Sequence, residues 1–522
     1  GEYMLFTSVS FVIFVAAVLL MYYIVPKKWQ WIMLLCANVC FYLQAGVRGA
    51  IFMIATIIST YFCSRMIEKA SDRQKLAMEK LKDLMTKEQK KAYKAKTKKN
   101  QRMWMVLCIL FNFGILAVLK YTNLFISFTS LKPVNFILPM GISFYTFQSM
   151  GYIIDVYRGV TEAENNIFKF ALFVSFFPQL MQGPISRWKD LKETLFEEHS
   201  FSWERFESGI QRIIWGYFKK MVIADRAAIG LATITSDFSK YTGAYAFLGM
   251  LIYAVELYAD FTGGIDITIG IAELFGIRLP ENFRQPFFSK SLAEYWRRWH
   301  ITLCAWFKDY VFYPISMSKK MNKASKWLKK HVSTGIGQRF PIYTATIVVW
   351  FVTGMWHGAS WNFIVWGLLN GIIMLASQEL EPVYAKVDGK LHLKKHTAYK
   401  VFEIIRTTAI VCVLQMLDYH RNIADAFRQF ISMFTTANYA SVFGSGMFNI
   451  GLSLPDYILL LAGVIIMYIV SFAGREESVR ERLSKKSFAL RFTIFLALFL
   501  GIAVFGVYGI GYESSQFIYN QF

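Results

Sequence analysis

"LFTSVSFVIFVAAVLLMYYIV" (residues 5–25) sets the solvent in which the rest of the chain must be read. It carries no charged side chain, and a run of about 20 predominantly apolar residues is enough to cross the hydrocarbon core of a bilayer as a helix. No small-residue cleavage site follows it. The chain continues into Pro26, Lys27, Lys28 and a second apolar run, so the segment reads as a retained first span and not as a secretory leader. Runs of the same kind recur at 30–47, 49–64, 103–121, 166–184, 212–235, 244–262, 341–357, 361–378, 400–418, 456–474 and 490–512. The expected fold is an all-α polytopic membrane protein, with roughly 11 to 13 transmembrane or re-entrant helices around a central funnel.

Composition agrees. The 522 residues are 55% hydrophobic and 17% aromatic, a balance foreign to soluble globular chains. The formal charge of +22 is concentrated in short loops: residues 65–102 hold 14 Lys/Arg against five Asp/Glu, a net of +9. By the positive-inside rule this segment faces the cytoplasm, as do the smaller basic loops 318–339 and 475–491. That arithmetic puts both chain ends outside. Lipid headgroups and span orientation account for the positive charge, so nucleic acid is not an expected partner, whereas membrane lipids are. The six cysteines show neither a disulfide framework nor metal-ligand spacing, and no metal site is expected. No internal repeat or low-complexity linker divides the chain. It reads as one membrane domain over 1–522, with a basic helical loop at 65–102, core blocks at 138–367 and C-terminal spans over 380–522.

Polar groups enter the apolar runs at a few places. "ADFTGGIDITIGIAELFG" (259–276) places Asp260 and Asp266 at membrane depth, and "FFPQLMQGPISR" (176–187) combines Pro178, Gln179, Gln182, Gly183 and Pro184. "LPMGISFYTFQSMGYIIDVYRG" (138–159) adds Ser143, Tyr145, Gln148 and Asp155. Ionisable groups there are costly unless paired or facing water, and broken helix at depth survives only when buried in protein or lining a cavity. Each could simply pin neighbouring helices together; three in one chain favour a water-accessible funnel.

Two of the seven histidines stand apart from polar loops and span ends. His357 lies in "FVTGMWHGASWNFIVWG" (351–367) at the junction of two apolar runs, where Asn362 or Ser360 could orient its ring. A neutral imidazole is the side chain best suited to accept a hydroxyl proton near pH 7. His300 lies in "EYWRRWHITLCAWFKDYVFYPIS" (294–316), beside Trp296, Arg297, Arg298 and Trp299 and ahead of Asp309. Those arginines could be interfacial anchors or could meet the phosphates of a cytosolic donor.

"ENFRQPFFSKSLAEYWRRWHITLCAWFKDYVFYPIS" (281–316) followed by "GMWHGASWNFIVWGLLNG" (354–371) resembles the paired signature of the membrane-bound O-acyltransferase family. The 138–159 and 175–187 blocks resemble those of its bacterial branch, that of alginate O-acetyltransferase membrane subunits, and the closing "SQFIYNQF" (515–522) is similar to that branch's C-terminus. "LDYHRN" (417–422) departs from the branch's aromatic-rich element. The resemblance implies His357 as general base and His300 as a second position that places donor or acceptor. Asn282, Trp296, Arg297, Arg298, Trp299, Asp309, Trp356, Asn362, Gln182 and Asp260 would then shape the donor and acceptor funnel. It further implies an O-acyltransferase of the bacterial inner membrane with no permanently bound cofactor. The donor would be an acyl thioester such as acetyl-CoA, the acceptor an exported polysaccharide, and the partner an extracytoplasmic acyltransferase or esterase-like protein. D-alanyl transfer to teichoic acid and a non-catalytic lipid or glycan transporter are the alternatives.

Overall fold

The computed structural model describes residues 5–81, 84–136, 138–420 and 422–508, with only the backbone of Ala45 and Met181. The closing 515–522 segment and Arg421 of the "LDYHRN" element lie outside the described residues. Among the described residues the fold is helical, its one β feature being an isolated antiparallel bridge between Phe283 and Trp299. The chain divides into two compact units, one of residues 1–209 and 268–280, the other of 210–267 and 281–522.

Among the described residues six helices are long and apolar enough to cross a membrane: Val47–Lys80, Lys87–Ile126, Ala244–Leu274, Trp361–Glu379, Leu454–Ala473 and Phe488–Phe505. This is an all-α, multi-pass membrane protein. Of the remaining apolar runs, 341–357 and 400–418 lie within the continuous helices Thr334–His357 and Thr397–Tyr419, and others become shorter or interrupted helices. Residues 5–25 form Val9–Ile24, 166–184 splits into Ile167–Ser175 and Phe177–Met181, and 212–235 contains the π-helical stretch Phe218–Ala224.

In the first unit, Val47–Lys80 and Lys87–Ile126 form a long hairpin whose basic ends make up the 65–102 segment. A capping box between Thr86 and Gln89 starts the second arm. Polar bonds fix the register of the arms: Gln101 Nε2 donates to Ile67 O at 3.1 Å, and Asn112 Nδ2 to Ser59 Oγ at 3.1 Å. The helix break at Phe176 is satisfied from the side, because Asn38 Oδ1 accepts the Phe177 N–H at 3.0 Å while its Nδ2 donates to Ser175 Oγ at 3.1 Å. The N–H freed by this break is therefore paired inside the protein, as a hydrocarbon surrounding demands.

In the second unit, Thr334–His357 and Trp361–Glu379 pack as an antiparallel pair. Glycines let them approach: a Cβ on Gly354 would stand 2.5 Å from Phe363 O, and one on Gly367 would strike the Trp350 carbonyl. This close approach, one turn before the helix ends, brings His357 against the neighbouring helix.

Candidate active site

The chain reverses through 281–300 before re-entering helix. Arg284 N–H donates to Arg298 O and Ile301 N–H to Asn282 O, both at 2.9 Å, so the two sides of the reversal are laced together. His300 sits at its end with φ 48° and ψ 51°, a left-handed conformation rare for a side chain with a Cβ. Asn282, fully buried, faces it. The Asn282 Oδ1 accepts the Thr302 backbone N–H at 3.0 Å and the Thr302 hydroxyl at 2.8 Å, and lies 3.2 Å from His300 Nδ1.

This geometry fixes a proton. Because Thr302 N–H must donate to an oxygen, the Asn282 atom is the acceptor, so His300 Nδ1 carries the hydrogen and its Nε2 the lone pair. Burial, with His357 nearby, holds the His300 imidazole well below its ordinary titration range. His300 lies outside the six spanning helices and is neutral at pH 7.

His357 ends the helix Thr334–His357. The ring of Trp356 connects the two histidines, its centroid 5.6 Å from that of His300 and 5.3 Å from that of His357. On its other side His357 meets Trp366 edge-on at 4.5 Å. His357 is half-buried and lines a cavity of about 30 Å³, together with Trp296, Trp299, Tyr295, Trp366, Asn370 and Asp418. That is room for about two water molecules. The tryptophan wall is itself anchored: Trp296 Nε1 donates to Asn370 Oδ1 at 2.9 Å, and Asn370 Nδ2 to Trp366 O at 2.9 Å.

A family model described as MBOAT, membrane-bound O-acyltransferase family, matches residues 163–417. The Azotobacter vinelandii protein named "Probable alginate O-acetylase AlgI" is 33% identical over 379 residues, covering 70% of this chain and 67% of that one. The chain belongs to the membrane-bound O-acyltransferase family. A Helicobacter pylori peptidoglycan O-acetyltransferase is 29% identical over 403 residues, 70% of this chain and 66% of its own. A Bacillus subtilis teichoic acid D-alanyltransferase is 30% identical over 253 residues, 46% and 59% respectively. The chain spans about two thirds of the length of its alginate O-acetylase relatives. As a member of this family it is an acyltransferase.

Within this membrane-bound O-acyltransferase the remaining expected site residues scatter. Asn362 donates its amide to His420 O at 2.8 Å, so that N–H ties two helix ends and is not aimed at the His357 ring. Asp260 does not line the cavity: it is 1% exposed and 2.5 Å from the Lys220 ammonium, which also meets Asp225 at 2.8 Å. Asp266 is likewise paired, with Lys219 at 2.6 Å and Arg212 at 3.0 Å. Both aspartates are charge-paired, and neither lines this cavity. Arg298 pairs with Glu294 at 2.8 Å and donates to Arg284 O at 3.3 Å, whereas Arg297 is exposed. Asp309 is half-buried in the π-helical stretch Lys308–Phe312. Gln182 belongs to the first unit, buried, with its carbonyl accepting from Thr268 Oγ1.

The cavity also contains groups not expected from sequence. Tyr253 Oη donates to Asp418 Oδ2 at 3.4 Å, and Asp418 is the one carboxyl among the described residues lining the cavity. The signal for it was present: an acid closing the apolar run 400–418, where the chain departs from the family's aromatic element.

Proposed function

We propose that this chain transfers a short acyl group, acetyl, from a cytosolic thioester such as acetyl-CoA to hydroxyls destined for an exported cell-envelope polysaccharide, in a bacterial inner membrane. The observation that carries this reading is the placement of His357 on a small aromatic-walled cavity beside His300. In the reaction the acceptor oxygen attacks the thioester carbonyl, forming a C–O bond as the C–S bond breaks. His357 takes the hydroxyl proton and returns it to the departing thiolate; such a positioned base contributes typically about 10² to 10⁴ in rate. His300 Nε2, its lone pair aimed by Asn282, accepts a hydrogen bond from the acceptor and holds it for attack. A cavity of about 30 Å³ suits the few heavy atoms of an acetyl group better than a fatty chain. Entry of the anionic donor from the side of the basic loops, with Arg297 available to its phosphates, and completion of transfer by an extracytoplasmic esterase-like partner belong to the same proposal.

Names of relatives support it: alginate, peptidoglycan and teichoic acid are all envelope or exported polymers, and two of the three named activities are O-acetylation. The D-alanyltransferase relatives keep alanyl transfer as a second reading. The test is mass analysis of envelope polysaccharide from cells carrying the wild-type gene, His357→Ala, or neither. Acetyl esters in the wild type alone are expected. Alanyl esters would select the second reading, and unchanged acetylation in His357→Ala would defeat both.

A further inference from the structure

The second unit holds a larger void that the acyl-transfer chemistry does not use. Three helices line it with one face each: Ala244–Leu274, Thr397–Tyr419 and Leu454–Ala473, closed at one end by Gln285–Phe288. The liners on the first and third helices recur at spacings of three and four residues, which is one stripe of an α-helix. Small side chains on these stripes, among them Ala254, Val255, Cys412 and Val464, leave a gap of about 450 Å³. Protein interiors are normally packed without such gaps, and the size is that of a ligand pocket.

Its chemistry selects the occupant. The walls are almost wholly apolar, and an apolar cavity does not hold water. Two of the three helices are spans, and the mouth carries Leu251 at 41% and Tyr468 at 58% exposure, on a surface continued by the exposed Leu461, Ile465 and Ile469. In a bilayer that surface meets hydrocarbon, so the void is open to a lipid chain.

One end is cationic. Gln285 Nε2 donates to Gly474 O at 3.1 Å, bringing Arg475 beside the Gln285–Phe288 closure; Arg475 lies over the Phe472 ring at 3.7 Å. Arg406, half a turn before the liner Thr408, donates to Lys290 O at 2.8 Å. Lys290 follows the liner Phe288 by two residues. Among the described residues none of these three cations is in an ion pair, while two nearby carboxylates, Glu294 and Glu477, are already matched by Arg298 and Lys485.

We infer that this pocket holds one anionic phospholipid, with an acyl chain in the void and its phosphate among Lys290, Arg406 and Arg475. Three unmatched cations at one end of an apolar slot favour an anionic head over a zwitterionic one by roughly fivefold each.

The full-length protein, purified in mild detergent and supplied with phosphatidylglycerol or phosphatidylcholine of the same chains, tests this by native mass spectrometry. One retained phosphatidylglycerol, preferred at least about tenfold over phosphatidylcholine, is expected. Arg406→Gln and Arg475→Gln should each lower that preference by roughly fivefold without touching the core. Ala254→Phe places a ring in the void and should weaken retention of both lipids, with detergent melting recorded to confirm folding. Equal retention of the two lipids, an unchanged preference in both arginine variants, or displacement by long-chain acyl-CoA at equal concentration would overturn the inference. Loss of acyl transfer in His357→Ala does not bear on it.

Discussion

Replacing Asn282 by alanine removes the acceptor on which the His300 geometry is built. In the folded protein the Asn282 Oδ1 serves the Thr302 N–H at 3.0 Å, the Thr302 hydroxyl at 2.8 Å and His300 Nδ1–H at 3.2 Å. A hydroxyl can rotate to another acceptor, but the amide and the imidazole N–H cannot leave, and Asn282 and His300 are both buried. Two orphaned buried donors at about 1 to 3 kcal/mol each give a loss of about 2 to 6 kcal/mol in stability. The imidazole also loses the partner that sets its tautomer and direction. A misplacement of about 1 Å at a reacting centre costs about 10²-fold, and kcat for thioester turnover should fall by that order. Release of CoA thiol from acetyl-CoA reads the rate, and thermal unfolding in detergent reads the stability. Thr302→Val is the control: it keeps the Thr302 N–H and His300 bonds, so it should cost about 1 kcal/mol and leave kcat within about threefold. Wild-type kcat in Asn282→Ala, or an equal loss in Thr302→Val, would refute the assignment of Asn282 as the group that positions His300.

Gly354→Ala should act at a distance from the chemistry. Ordinary contact begins near 3.4 Å and the new Cβ would stand 2.5 Å from Phe363 O, so the helices must part by about 0.9 Å; with His357 one turn away, kcat should drop by about 10²-fold while donor KM changes little. Lys220→Met should behave oppositely, leaving Asp260 and Asp225 uncompensated in the interior and destabilising by about 3 to 5 kcal/mol. Adding Asp260→Asn should recover part of that loss in detergent melting, and a single variant as stable as wild type would remove the ion-paired reading of Asp260.

The spans and the helix breaks were legible because their signals are local. A charge-free apolar run such as 5–25 reports its solvent directly, and Pro178 with Gly183 reports irregular backbone without knowledge of any partner. The two histidines were legible for the same reason, each being an imidazole in an otherwise apolar or aromatic stretch. The pairing of Asp260 was not legible because its partner lies 40 residues away, in Lys220. That lysine sits in a π-helical stretch, Phe218–Ala224, which turns consecutive lysines toward different carboxylates: Lys219 to Asp266 and Lys220 to Asp260 and Asp225. Nothing in the local residues announces that extra turn. The Asn362 bond was hidden on the same ground, since sequence proximity to His357 says nothing about its amide reaching His420.

His300 shows why the site needs both kinds of information. A left-handed backbone costs an L-residue about 1 to 2 kcal/mol, so a histidine at φ 48° persists only if its surroundings over-determine it. They do: the Phe283–Trp299 bridge and the bond from Ile301 N–H to Asn282 O hold the backbone on either side. The Tyr295 and Trp299 rings, stacked at 5.5 Å, pack beside it. The strain therefore has a geometric product. It reverses the chain in one residue, so that helix Ile301–Phe307 starts with Asn282 capping it and with the imidazole turned toward Trp356 and, through that ring, toward His357. A glycine at 300 would relieve the backbone and remove the chemistry, which is the physical reason for a histidine at a position whose φ favours glycine.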